Sequence, residues 1–313
     1  MTMRKVSLVG ITLALSAAFL WGTAGTAQSF VQGATAPYWI GAFRLLVACL
    51  FFHLLFFYRG ASRQSLKINE RQQSENSSNR SRRYWRYITI AGICMGLYNL
   101  TFFAGIKATG IAIGTATTIG SAPIWAGLMQ AILLKKSPSL LWWLGTFCAT
   151  AGGTWMVLSQ SSSWQINAGG LLICLSAGFC YALYTLMSKK LVSIDSPLTI
   201  TKHTFSIAIF IAVPIAWILA GTPAVSWVSI AVIFYLGLLT TGVAYLLYTQ
   251  ALKHISAPTG VALGLIEPIV AFFLAIVVAH ENVNMFAIVG LCLILAGLWL
   301  VLKSEGRVSK KPN

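Results

Sequence analysis

Apolar stretches long enough to cross a lipid bilayer recur along almost the whole chain, and this leaves few folds open. A helix needs about 20 predominantly apolar residues to cross a hydrocarbon core of about 30 Å. Such runs occupy 6–29, 37–57, 87–105, 111–134, 139–159, 168–188, 199–220, 226–250, 257–279 and 284–303. Inside lipid no water satisfies backbone N–H and C=O groups, so runs of this length must be helical. Charged residues make up only 9% of the 313, against about 25% in a soluble domain. The expected fold is an all-α polytopic membrane protein with ten transmembrane helices.

A net charge of +16 would suit a nucleic-acid binder, but its placement argues otherwise. With the N-terminus inside, all 22 Lys and Arg lie on the cytoplasmic side except Lys107, outside, and Arg44, within the second span. That asymmetry is the positive-inside rule and puts both termini in the cytoplasm. The first span follows Arg4-Lys5 but is longer than the core of a secretory signal, about 7–15 residues, so it is expected to be retained. Cys49, Cys94, Cys148, Cys174, Cys180 and Cys292 fall in or near spans without a CxxC pair and read as reduced hydrophobes. Residues 62–83, rich in Ser, Asn, Gln and Arg, read as a disordered cytoplasmic loop whose cations can rest on anionic lipid.

The chain also repeats itself. With Pro123 placed on Pro268, Gly145 falls on Gly290 and Gly152 on Gly297 at a constant offset. One single-residue gap upstream brings Lys107 onto Lys253 and Asn99 to Phe102 onto Tyr245 to Tyr248. Phe19-Leu-Trp-Gly22 falls on Phe179-Cys-Tyr-Ala182, and Pro37 on Pro197. Each half holds five spans, and an odd number forces the second half to insert upside down. Inverted repeats with interrupted helices at the midplane are a transporter architecture. The organisation is thus two five-helix repeats, 1–159 and 160–305, with a cytoplasmic tail at 306–313.

Ala-Phe-Leu-Trp-Gly22, Phe-Arg-Leu-Leu46, Ala-Leu-Lys253, Leu-Ile-Glu-Pro268, His280-Glu281 and the Gly290 and Gly297 pair, in that order and duplicated, carry a family resemblance. The chain resembles an EamA-like ten-helix member of the drug/metabolite transporter superfamily. It departs from that pattern at Lys136, where many relatives carry Glu, and at Ala122, where the second half has Glu267. The resemblance implies transport of small organic metabolites, often efflux of amino acids or related compounds, by alternating access around a central cavity. It also implies a bacterial-type plasma (inner) membrane, no cofactor, and a monomer or weak homodimer.

Glu267 is the one carboxylate well inside an apolar span, where a charge costs about 2.5–3.5 kcal/mol on insertion scales. It either binds a substrate ammonium or carries a coupling proton, although the small Gly260, Gly264 and Ala271 on its face also suit helix packing. Pro268 lacks an N–H and should free the Gly264 carbonyl, making a polar site with Glu267; Pro123 and Pro268 are the expected bending points. Tyr245 and Tyr248 share a helix face, as do their mates Asn99 and Phe102, and these pairs are expected across one cavity. Trp21 and Tyr181 occupy equivalent places and serve either packing or the site. Arg44 either snorkels to the outer interface with no further role or pairs with a substrate carboxylate or with protein carbonyls. His53, His203, His254 and His280 lie near span ends and make no metal constellation.

A secondary transporter is the leading class, with a cationic or zwitterionic solute expected from the unmatched charge of Glu267. An intramembrane enzyme lacks an HExxH, a GxSxG or paired carboxylates in adjacent spans, and no Walker loop is present for ATP drive. A lipid or lipid-linked sugar translocase is the third class, favoured if Arg44 lines a lateral opening.

Overall fold

The computed structural model describes residues 8–31, 35–63, 77–159, 167–279 and 285–308, and in them it is all helix. The first repeat holds α1 (Leu8–Ser29), α2 (Pro37–Arg63), α3 (Ser77–Thr109), α4 (Ile111–Leu134) and α5 (Leu140–Leu158). The second holds α6 (Ala168–Leu191), α7 (Pro197–Ala220), α8 (Trp227–Ala251), α9 (Ala257–Leu263, Gly264–Ile266 and Glu267–Ala279) and α10 (Met285–Val308). Nine of these are long and apolar enough to cross a membrane. The other, α5, is 19 residues long, and its three Trp, three Gly and three Thr lower its apolar character. Side chains such as Phe210 (81% exposed) and Trp227 (88%) cover the outside, a surface that suits lipid and not water.

Local chemistry sets the helix starts. Ser139, Asn167, Ser196, Ser226 and Ser256 each accept a hydrogen bond from the backbone N–H three residues on, satisfying donors that a helix N-terminus leaves orphaned. Glu305 on α10 reinforces the start of α9. Its carboxylate accepts from the Ser256 N–H at 2.8 Å, the Ser256 hydroxyl at 2.9 Å and the Thr259 hydroxyl at 2.5 Å. Gly110, at φ 86, makes the turn from α3 into α4, a backbone region that L side chains rarely enter. α3 starts earlier than the sequence suggests. Residues 77–83, read as part of a disordered loop, extend the helix, because Arg is a good helix former and the segment runs in register into the span. Residues 62 and 63 likewise end α2, and 64–76 lie outside the described residues.

The two-fold relation is visible in the packing. α3 against α6 is matched by α8 against α1, α4 against α6 by α9 against α1, and α3 against α7 by α8 against α2. The contacts α5 with α10 and α2 with α7 map onto themselves when the halves are exchanged. Glycines at the α5–α10 crossing give the sense of the axis. A Cβ on Gly145 would lie 2.6 Å from the Gly297 carbonyl oxygen, and one on Gly152 would lie 2.7 Å from that of Gly290. Rising numbers on α5 thus meet falling numbers on α10, so these equivalent helices are antiparallel. An axis along the membrane normal would make them parallel; one in the membrane plane makes them antiparallel, as inverted repeats require.

Candidate functional site

Two departures from regular helix fall midway along the α8 and α9 spans. In α9 a 3-10 turn, Gly264–Ile266, precedes Glu267. The carbonyl of Gly264 is not left free beside Pro268, as the sequence suggests, because the tighter turn lets the Glu267 N–H take it. In α8 the eight residues Leu236–Val243 form a wide π-helical stretch just before Tyr245. Such stretches are rare and recur at functional sites. There α8 meets α2 closely: a Cβ on Gly237 would lie 3.0 Å from the Arg44 carbonyl oxygen.

Around these elements five aromatic residues from α1, α3, α6 and α8 form one connected cluster. Trp21 lies 5.1 Å from Tyr245, 5.2 Å from Tyr248 and 6.1 Å from Tyr181, between ring centroids. Tyr181 stacks with Tyr248 at 6.2 Å and meets Tyr98 at 5.4 Å. The Tyr248 hydroxyl is 3.3 Å from that of Thr185. Gly22 admits α9 beside this cluster, since a Cβ there would lie 2.8 Å from the Glu267 carbonyl oxygen. Trp21, Tyr245 and Tyr248 are buried, whereas Tyr98, Tyr181 and Glu267 keep part of their surface accessible.

Arg44 is 8% exposed, and its guanidinium sits 5.8 Å from the centre of the Phe103 ring, so it does not snorkel. The sequence-predicted Asn99 is buried, with Nδ2 donating to the Met95 carbonyl of its own helix at 3.0 Å and Oδ1 without a partner. Phe102 stacks on Tyr98 at 5.8 Å, and so reaches Tyr248 through Tyr98 and Tyr181. Pro123 lies inside α4. Tyr98 was not legible from the repeat, because its mate is Ala244; its spacing of four from Phe102 was the available signal.

Other polar features sit elsewhere. A shallow crevice between α4, α5 and α9, lined by Thr115, Thr150, Thr154 and Pro268 among others, carries no titratable side chain. The Tyr84 hydroxyl and His203 Nδ1 are 2.7 Å apart near the start of α7. No group of three or more His, Cys, Asp or Glu suited to a metal occurs among the described residues.

The match to known proteins follows the two repeats found above: residues 8–158 and 168–303 each match the EamA-like transporter family. The chain belongs to the EamA-like transporter family. An uncharacterized transporter of Bacillus subtilis (strain 168), YwfM, is 34% identical over 300 residues, covering 95% of this chain and 94% of its own. The threonine/homoserine exporter RhtA of Salmonella typhimurium (strain SL1344) is 23% identical over 223 residues, 70% of this chain and 72% of its own. A solved crystal structure superposes with a TM-score of 0.75 at 17% identity, covering 96% of this chain and 98% of its own. The EamA-like chain is therefore a multi-pass membrane transporter, and the Glu-Pro and Trp-Gly elements sit within its two matched repeats.

Proposed function

We propose that the protein is a secondary transporter that exports small cationic or zwitterionic amino compounds, amino acids above all, by alternating access around the Trp21–Tyr181–Tyr245–Glu267 cluster. The observation that carries this reading is a partly accessible carboxylate midway along an apolar span, on a helix that packs against α1 at Gly22, next to Trp21 of the aromatic cluster. Aromatic faces attract a cation with about 0.5–2 kcal/mol each, and a carboxylate supplies the full counter-charge. The exporter name of the more distant relative supports an amino-acid class and outward direction. On this reading the protein sits in a bacterial inner membrane with both termini cytoplasmic, as its loop cations favour. The lipid-translocase reading loses the feature that would favour it, since Arg44 is buried against Phe103.

The test is counterflow of labelled amino acids into proteoliposomes holding the purified protein. Protein-dependent exchange of at least one, without covalent change, is expected. Glu267→Gln, which keeps shape but removes charge and titration, should lower that exchange at least about tenfold. Wild-type rate and wild-type pH dependence in the variant would remove both the ammonium-binding and the proton-carrying role.

A further inference from the structure

Equivalent glycines of the two repeats grip equivalent helices, yet their spacing differs by one residue. A Cβ on Gly92 of α3 would lie 3.0 Å from the Thr204 carbonyl oxygen of α7 and against the Ile207 side chain. One on Gly237 of α8 would lie 3.0 Å from the Arg44 carbonyl oxygen of α2 and against the Val47 side chain. The Pro37–Pro197 correspondence makes Arg44 the mate of Thr204 and Val47 the mate of Ile207, so Gly92 and Gly237 are mates too. The next contact repeats the pattern. A Cβ on Gly96 would meet Ile211 at 3.1 Å, and one on Gly242 would meet its mate Phe51 at 2.8 Å. Four positions separate the two glycines on α3, and five separate them on α8.

Residues four apart share a face of an α-helix, and residues five apart share a face of a π-helix. α3 runs as unbroken α-helix through Gly92 and Gly96, whereas Leu236–Val243 of α8 is π-helical. The wide stretch is therefore a one-residue insertion held between two fixed contacts. Its bonding is loose. The Ala244 N–H is shared between the Leu239 and Thr241 carbonyls, and the Thr241 hydroxyl is buried without a partner. The Thr240 hydroxyl donates to the Leu236 carbonyl at 2.8 Å, a back-bond of the kind that bends helices. Hydrogen bonds also tie the two ends of α8 to different helices. Before the stretch, the Tyr235 hydroxyl is 2.7 Å from that of Thr23 on α1. Beyond it, α6 holds the chain: the Tyr248 hydroxyl is 3.3 Å from that of Thr185, and Lys189 Nζ donates to the Leu252 carbonyl at 2.6 Å.

We propose, resting on the transport reading above, that the surplus residue of α8 is kept as a hinge. The Ala244–Ala251 end, which carries Tyr245 and Tyr248, swings at the π-helical stretch while the Trp227–Tyr235 end stays on α1. α3 makes the equivalent contacts without a surplus residue and moves as one rod. A hinge needs a few residues whose backbone bonds rearrange at small cost, and a stretch with shared and spare bonding partners meets that need. Leu238 and Leu239 are only half-buried, so one of them can be spared. Its loss leaves Gly-Leu-Thr-Thr-Gly, with the spacing of Gly92-Ile-Cys-Met-Gly96, and both glycine contacts stay within reach of a regular α-helix.

The experiment compares the full-length wild type with two single-residue deletions, of Leu239 inside the stretch and of Leu246 beyond it. Removing a residue from regular helix turns everything after it by about 100°, so loss of Leu246 should abolish a cooperative melt. Loss of Leu239 should leave the melting temperature within about 5 °C of wild type. Hydrogen exchange in detergent, read by mass spectrometry, follows the hinge without any substrate. In the wild type, amides 236–243 should exchange at least about tenfold faster than amides 90–97, and the Leu239 deletion should bring them to the α3 rate. In counterflow with labelled threonine, leucine and phenylalanine, that deletion should lower the wild-type rate at least about tenfold. If both deletions unfold the protein, the fifth residue is not surplus and the proposal falls. Equal protection of the two stretches in the wild type overturns the hinge, and so does a folded Leu239 deletion with wild-type counterflow; the transport reading survives both results. A wild type that exchanges no amino acid removes the transport reading, and hydrogen exchange still decides whether α8 hinges.

Discussion

Single aromatic rings can be weighed one at a time in this site. Trp21 touches three tyrosines from two helices, and Tyr181 bridges Tyr98 and Tyr248, so these two residues join the repeats at the site. A ring facing a bound ammonium contributes about 0.5–2 kcal/mol, whereas its hydroxyl contributes only where it finds a partner. Tyr181→Ala is therefore expected to weaken binding of a transported amino compound about 3–30-fold, and Tyr181→Phe to stay near wild type. A ligand-dependent thermal shift, titrated to saturation, reads both numbers. Equal losses in the two variants would mean that the hydroxyl and not the ring makes the contact. Trp21 cannot be treated so simply, because Gly22 beside it also sets the approach of α9.

Elements meet through glycine in this protein, and break at proline. At the α5–α10 crossing the backbones touch, which gains van der Waals contact where lipid offers no hydrophobic drive for association. Gly297→Val puts two methyls where even a Cβ would lie 2.5 Å from the Gly145 carbonyl oxygen. Overpacking of this kind costs about 1–3 kcal/mol or more, so a lower melting temperature and polydisperse gel filtration in detergent are expected. Phe210→Ala on the lipid-facing side should do neither. At the α9 break the expectation runs the other way. Pro268→Ala restores an N–H able to bond the Gly264 carbonyl and so favours continuous α-helix over the 3-10 turn. Stability should hold or rise while counterflow slows, if the turn changes as the site switches sides. A faster or unchanged counterflow would make the turn a static feature.

For the whole molecule, the proposed orientation makes a definite prediction for two exposed loop positions. In a background without native cysteines, Thr222→Cys between α7 and α8 should react with an impermeant maleimide on intact cells, and Ser193→Cys between α6 and α7 only after permeabilisation. The reverse pattern would invert the topology. The all-helical membrane fold with its two repeats, and the glycine and proline correspondences, were readable from the sequence, because lipid imposes a length and a polarity on every helix and because duplication preserves spacing. So was Glu267, since a carboxylate in an apolar run has no inconspicuous place. The sequence could not say that Arg44 turns inward to Phe103, since its long side chain could equally have reached the interface. Nor could it find Tyr98, whose repeat mate Ala244 is silent, or the Glu305 cap on α9, whose partners lie 46 and 49 residues away. Periodicity fixes which face of a helix a residue occupies; which helix that face meets depends on how ten helices pack together. The antiparallel glycine crossing and the inward turn of Arg44 onto Phe103 belong to that packing, and only the tertiary structure decided them.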